Sequence, residues 1–193
     1  RLTDIFISVL FIIVTAPLVI CIVAISMWKM GRPVLFKQKR TGLHEKPFRL
    51  VKFRTMRDSQ DQPGININTK KITPWGQFLR STSLDELPSL WNVLKGEMSL
   101  VGPRPLPVQY LERYSAKQRQ RHRIKPGLTG WAQVQGRNEL TWQEKFNCDL
   151  WYLHNQSMWL DFKILIRTVG VVLKRRGVNA NRQQTMPEFE GGR

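Results

Sequence analysis

Two cysteines, three histidines and 14 acidic residues are all that this 193-residue chain offers for building disulfides, soft-metal sites or an anionic surface. Cys21 and Cys148 lie far apart and the first sits inside an apolar run, so neither a disulfide framework nor a thiolate metal site is supported. His44, His122 and His154 show no ligand spacing, which leaves oxygen-ligated Mg²⁺ as the metal these residues could hold. A GxxxxGKS/T loop and a GxGxxG fingerprint are both missing, so ATP hydrolysis and dinucleotide redox chemistry have no local support. No internal repeat is present. The shortage of acid against 31 Lys and Arg leaves a formal charge of +17, which demands an anionic partner. Composition alone favours nucleic acid, yet zinc-finger spacing and an RNP signature are absent. A hydrophobic fraction of 41% is enough for a core, and the length suits one domain.

The apolar residues are distributed unevenly. From Ile5 to Trp28 no residue is charged, and as a helix these 24 positions would run about 36 Å against a bilayer core of about 30 Å. A cleavable signal would be shorter and end in a small-x-small site, so this reads as a membrane segment closed by Trp28 and Lys29. Pro17 near its middle removes one backbone hydrogen bond and predicts a bend. The basic remainder of the chain favours the cytoplasmic side. The bent segment either crosses or dips in and returns; its residues alone leave both open.

Val34–Lys37 and Phe48–Thr55 flank a turn-rich stretch and predict a β-hairpin. Lys52 and Arg54 share one face by period 2, either solvated or contacting phosphate. Asp58–Thr69 is polar and reads as a loop around Pro63-Gly64. In Arg80–Gly96, Asp85 as N-cap with Pro88 at N3 gives a consistent helix start, and Ser83 with Glu86 as a capping box is the competing reading; Gly96 ends the helix. Either start puts two adjacent carboxylates at the positive end of a helix dipole, where a phosphate is also attracted. An ionised Asp can attack phosphorus and a neighbouring Glu can hold Mg²⁺. Arg104 follows on a stiff proline-rich segment, Gly102–Pro107. In Tyr114–Lys125, the rows Lys117, Arg121, Lys125 and Arg119, Arg123 would form one cationic helix face, solvated or drawn to anionic lipid. Glycines 127, 130 and 136 would let backbone approach a ligand. Ser157–Arg176 suits a core helix or one lying in the interface, and the tail after Gly177 is polar and loosely held.

Taken in order, the apolar segment with its central proline, Val51-Lys-Phe-Arg-Thr-Met56, Arg80-Ser-Thr-Ser-Leu-Asp-Glu-Leu-Pro88, Asn92-Val-Leu-Lys-Gly96, Met98-Ser-Leu-Val-Gly-Pro-Arg-Pro105, Lys125-Pro-Gly-Leu-Thr-Gly-Trp-Ala-Gln133 and Gly136-Arg-Asn138 closely resemble the small monotopic phosphoglycosyl transferases of the bacterial sugar transferase family. The resemblance covers nearly the whole chain. It implies an α+β fold, mostly helical with a small β-hairpin, in which residues 1–29 form a kinked re-entrant membrane helix. Residues 30–193 would then be the catalytic domain, bound through interfacial amphipathic helices to the cytoplasmic face of the bacterial inner membrane. It implies transfer of a sugar 1-phosphate from a UDP-sugar to undecaprenyl phosphate with release of UMP, the first membrane step of glycoconjugate assembly. Asp85 would be the nucleophile of a ping-pong reaction and Glu86 the Mg²⁺ ligand. Lys52, Arg80, Arg104 and Arg137 would handle phosphate, and the helix break would fall at Ala16-Pro17, where the family has Ser-Pro. Thr15 would supply the missing hydroxyl. The tail Thr185–Gly191 resembles that of members using N,N′-diacetylbacillosamine or a related diacetamido sugar. Anionic lipids are expected partners, nucleic acid is not, and there is room for a homodimer. The competing functional classes are a membrane-tethered nucleic-acid-binding protein and a lipid-binding scaffold without chemistry.

Overall fold

A computed structural model describes residues 1–57, 71–174 and 188–191. The expected loop at Asp58–Thr69 and the tail from Gly177 to Pro187 lie outside these residues. The apolar segment folds as one helix, α1 (Leu2–Met30). It continues through Ala16 and Pro17, so the break expected there does not end the helix: proline φ suits a helix, while the bond to the Ile13 carbonyl is lost. The Thr15 hydroxyl bonds the Phe11 carbonyl at 2.6 Å, not the carbonyl that Pro17 leaves free. One face of α1 packs inward through Ser8, Ile22, Ser26 and Met30, while Leu2, Phe6, Leu10, Ile13, Val14, Ile20 and Trp28 are more than half exposed.

Both ends of α1 are tied to the same globular body. At its start Arg1 donates to the carbonyls of Val93 and Leu94 at 2.7 Å, and Asp4 accepts from the Ser99 hydroxyl at 2.9 Å and the Leu100 amide at 3.1 Å. At its end Trp75 donates to Ser26 at 2.9 Å, Arg54 donates to the carbonyls of Met30 and Gly31, and Arg57 to that of Lys29. Arg54 therefore caps a helix C-terminus, where cations are favoured, and does not share a phosphate site with Lys52.

The hairpin forms as β1 (Leu35–Thr41) and β2 (Pro47–Phe53), antiparallel, with Phe36 opposite Lys52, Gln38 opposite Leu50 and Arg40 opposite Phe48. Two shorter ladders follow: β3 (Met56–Arg57) antiparallel to β4 (Lys71–Ile72), and β5 (Ser99–Val101) parallel to β6 (Gly127–Thr129). Gly127 and Gly130 serve backbone pairing, not ligand approach: a Cβ on either would stand 2.1 Å from the backbone of Gly102. Helix α2 (Pro74–Ser81) leads through 3₁₀ turns at Leu84–Ser89 into α3 (Leu90–Lys95). Then come α4 (Ala116–Arg119), α5 (Trp131–Gln135), α6 (Trp142–Asn155) and α7 (Met158–Leu173). The main core joins Phe48 and Leu50 of β2 to Leu90, Val93, Met98, Leu100, Val101, Tyr152, Leu160 and Ile164.

The expected single basic helix is split into α4 and a 3₁₀ turn at Gln120–Arg123, and its cationic rows do not share a surface. Arg121 is buried against Asp149 at 2.7 Å, and Arg119 pairs with Glu45 at 3.0 Å. A buried carboxylate on α6 recruits Arg121 inward, a partner that lies 28 residues away in sequence. In α7 the core reading holds on one face. Leu160 and Ile164 enter the core, while Met158, Trp159, Phe162, Ile166, Val169 and Leu173 form an exposed apolar face. The end of the tail is held, not loose: Phe189 is 4% exposed and packs among Tyr110, Tyr114, Trp142 and Phe146. Arg113 adds an ion pair to Glu188 at 3.0 Å.

Candidate active site

Ser83, at φ 58°, turns the chain out of α2 into the 3₁₀ segment, so Asp85 and Glu86 fall at its second and third positions. Neither expected helix start is realised. Ser83 stands at the cap position, but its hydroxyl accepts from Arg137 at 2.9 Å and makes no cap bond. The Glu86 carboxylate turns away from the cap because two cations claim it: Lys52 Nζ at 2.6 Å and Arg104 Nη2 at 2.7 Å, both on Oε1. Pro88 has no N–H to return to the preceding turn, and regular α-helix begins only at Leu90. Gly96, at φ 84°, ends α3 as expected.

Lys52 reaches Glu86 because β2 is clamped to this segment by side chains. The Ser89 hydroxyl donates to the Val51 carbonyl at 2.8 Å. Asn92 accepts from the Val51 amide at 3.1 Å and donates to the Arg49 carbonyl at 2.8 Å. Lys52 thus extends the inward row of Phe48 and Leu50 and delivers an ammonium where a third apolar residue would otherwise sit. Arg104 is placed from the other side, since Arg121 donates to its backbone carbonyl at 2.7 Å. The proline segment also runs along the end of β1, where the Thr41 amide donates to the Leu106 carbonyl at 3.0 Å.

The two carboxylates have opposite electrostatic fates. Burial and the neighbouring Glu86 charge push Asp85 up to about 6, against the pull of Lys52, Arg104 and Arg80. Burial alone would raise Glu86 as well, but the Arg104 and Lys52 cations overcome it and hold the carboxyl well below the usual range. Burial lowers Lys52, with the Glu86 charge opposing, and Glu86 in turn raises Arg104. Arg137, at φ 51°, is lowered by burial and by Arg104, and its Nη1 is buried without a partner.

The structure therefore brings Lys52, Asp85, Glu86 and Arg104 into one cluster, with Arg137 and Arg80 within electrostatic reach. Ala16 and Pro17 are exposed residues of α1 and have no part in it. Sequence reasoning missed two cations. Arg40 lines a cavity with Lys52, Glu86, Ser89, Met98 and Arg104. Lys145 of α6 is lowered to about 8 by burial and by Arg104. The period-2 row Phe36, Gln38, Arg40 could have revealed Arg40, whereas Lys145 is 41 residues from Arg104 and carries no local signal.

For a divalent cation, the described residues contain no cluster of three or more His, Cys, Asp and Glu side chains. With both cations on one oxygen of Glu86, its second oxygen and the adjacent Asp85 carboxylate remain as hard donors. Mg²⁺ commonly takes one or two carboxylates and completes its shell with substrate phosphates and water, so the pair fits half of such a site.

A sequence profile of bacterial sugar transferases matches residues 1–175. A protein of Bacillus subtilis described as an uncharacterized sugar transferase is 46% identical over 99% of this chain and 95% of its own length. The undecaprenyl-phosphate galactose phosphotransferase of Salmonella typhimurium is 39% identical over 92% of the chain, and the UDP-glucose:undecaprenyl-phosphate glucose-1-phosphate transferase of Escherichia coli is 40% identical over 88%. Of these last two proteins the match spans only 41% and 39% of the length. With its profile, its relatives and its Asp-Glu pair in a cationic ring, the chain belongs to the bacterial sugar transferase family.

Proposed function

We propose that the protein transfers a sugar 1-phosphate from a UDP-sugar to undecaprenyl phosphate, releasing UMP. The observation that carries this reading is the Asp85–Glu86 pair enclosed by Lys52 and Arg104, with Arg80 and Arg137 nearby, on a body that bears a long apolar helix. A carboxylate among cations is suited to attack on an anionic phosphate, because the cations offset the repulsion between nucleophile and substrate.

In the first step an Asp85 oxygen bonds to the phosphorus that carries the sugar, and the bond from that phosphorus to the bridging oxygen breaks, its electron pair leaving with UMP. In the second, an oxygen of the lipid phosphate bonds to the same phosphorus and the Asp85 carboxylate leaves. Using one cationic site for both steps explains why two anionic substrates need not bind together. Lys52 and Arg104 hold Glu86 and face the phosphates. Arg137 sets the Ser83 turn, and Arg80 favours ionised Asp85. Bound Mg²⁺, held by Glu86 and the adjacent Asp85, would neutralise the diphosphate.

The ties at both ends of α1 support re-entry. A straight helix of 29 residues is about 43 Å long and would put one end across the bilayer, away from the body that both ends contact. The exposed apolar faces of α1 and α7 would enter the lipid, with the catalytic body on the cytoplasmic face of the bacterial inner membrane and its excess cations near anionic headgroups. The tail resemblance favours a diacetamido sugar as donor, beside relatives named for glucose and galactose.

The test is a panel of UDP-sugars with undecaprenyl phosphate, scored by UMP release. Transfer from one donor is expected, with a covalent phosphosugar adduct that Asp85→Asn abolishes. Turnover by that variant at the wild-type rate would overturn the nucleophile, and no UMP release from any donor would overturn the reaction.

A further inference from the structure

We propose that Arg40 binds the phosphate that does not react with Asp85: the nucleotide phosphate of the donor in the first step, and the acceptor lipid phosphate that takes its place in the second. This rests on the transfer reaction proposed above.

The β-hairpin register sets the geometry. Arg40 stands opposite Phe48 and Lys52 opposite Phe36, with the Gln38–Leu50 pair between them, so both cations lie on the inward face of the hairpin. They line one cavity with Arg104, and Glu86 is the carboxylate among its described lining residues. Counted with the adjacent Asp85, three cations face two carboxylates, and burying uncompensated charge is costly unless a ligand brings the missing negative charge.

Among the described residues, Arg40 is also the cation of this set that no carboxylate holds, whereas Lys52 and Arg104 both pair with Glu86. Its Nη2 donates to Gln38 at 2.6 Å, its Nη1 reaches the Pro105 carbonyl only at 3.4 Å, and its Nε is buried without a partner. Arg121 and Arg119 show the alternative, each held by a carboxylate. Burial, and the facing Arg104 guanidinium, lower Arg40 to about 10, so it stays charged at neutral pH. The described lining of the cavity that Arg40 shares takes in Glu86 and not Asp85, which puts Arg40 on the Glu86 side of the pair. A guanidinium fork there fits a phosphate with two parallel hydrogen bonds.

The test is calorimetric binding of UMP and UDP to the full chain in detergent, for wild type, Arg40→Gln and Arg40→Lys, with melting temperatures measured with and without nucleotide. Arg40→Gln is expected to weaken UMP about 10-fold or more and to lose the nucleotide-induced rise in melting temperature, while melting normally without ligand. Arg40→Lys, which keeps the charge but not the fork, is expected to fall between the two, and it carries the measurement alone if Arg40→Gln does not fold. Unchanged UMP affinity in the folded variants overturns the role of Arg40 and leaves the reaction standing. Wild type that binds neither nucleotide overturns the reaction and this assignment together.

Discussion

Arg121 donates to the backbone carbonyl of Arg104 at 2.7 Å while Asp149 holds its guanidinium through both Nε and Nη2. A buried ion pair between a 3₁₀ turn and α6 thereby fixes the loop that carries a site cation. Removing one partner leaves an uncompensated buried charge, so Asp149→Ala is expected to cost about 3–5 kcal/mol of stability. Denaturation of the single and double variants in detergent measures it, and Arg121→Met with Asp149→Leu should recover much of the loss. Independent, additive losses would show that the two residues do not act as a pair.

Asp85 titrates at about 6, and only its ionised form can attack phosphorus. The rate at substrate concentrations well below KM, which reports the free enzyme, should therefore rise with pH through about 6 and level off above 7. A rate constant between pH 5 and pH 8 would contradict the assignment.

The same shift carries a stability consequence. Because the folded value of Asp85 lies above its ordinary value of 3.8, its ionisation opposes folding; the penalty is absent below pH 4, grows between about 4 and 6, and is complete above. Asp85→Asn is thus expected to be more stable than wild type at pH 7.5, by on the order of 2 kcal/mol, and to lose this advantage at pH 4. Thermal melts at the two pH values check it.

Glu86→Gln removes the charge that Lys52 and Arg104 share. Activity should fall at least 10-fold, and the remaining activity should need more Mg²⁺ for half-saturation. An unchanged Mg²⁺ titration would assign Glu86 to holding the two cations only.

Phe189→Ala empties an aromatic cluster that closes over α6. A loss of about 3 kcal/mol is expected, with a change in the fluorescence of Trp142, which packs on Phe189 at 5.5 Å between ring centres. No change in either signal would mean that the tail end does not dock in solution.

Local pattern carried a good part of this molecule. The uncharged run at Ile5–Trp28 specifies a helix by composition, the β-branched and aromatic runs on either side of a turn-rich stretch specify a hairpin, and Gly96 specifies a helix end, because each depends on neighbours within a few residues. The start of the Asp85 segment departs from its local pattern because caps are chosen by competition. Glu86 could bond the backbone three residues back, but Lys52 and Arg104, 34 and 18 residues away, offer it full charges. The basic stretch departs from its pattern for the same reason: helical spacing predicts a face only if every residue is left to solvent, and Asp149 draws Arg121 inside.

By itself, the sequence determined a long apolar helix, an excess of cations and one Asp-Glu pair, all of them properties of composition and short motifs, and the kind of chemistry followed from the family its motifs resemble. Only the tertiary structure decided that Lys52 and Arg104, which the resemblance names, meet on one oxygen of Glu86. A hydrogen-bonded ion pair needs its partners within about 3 Å, and those distances are created when β2 is pinned by Ser89 and Asn92 and the Arg104 loop is pinned by Arg121. It also decided that Arg40 joins the site while Arg54 caps a helix, a difference that two arginines flanking one hairpin do not disclose until the register of the strands is set.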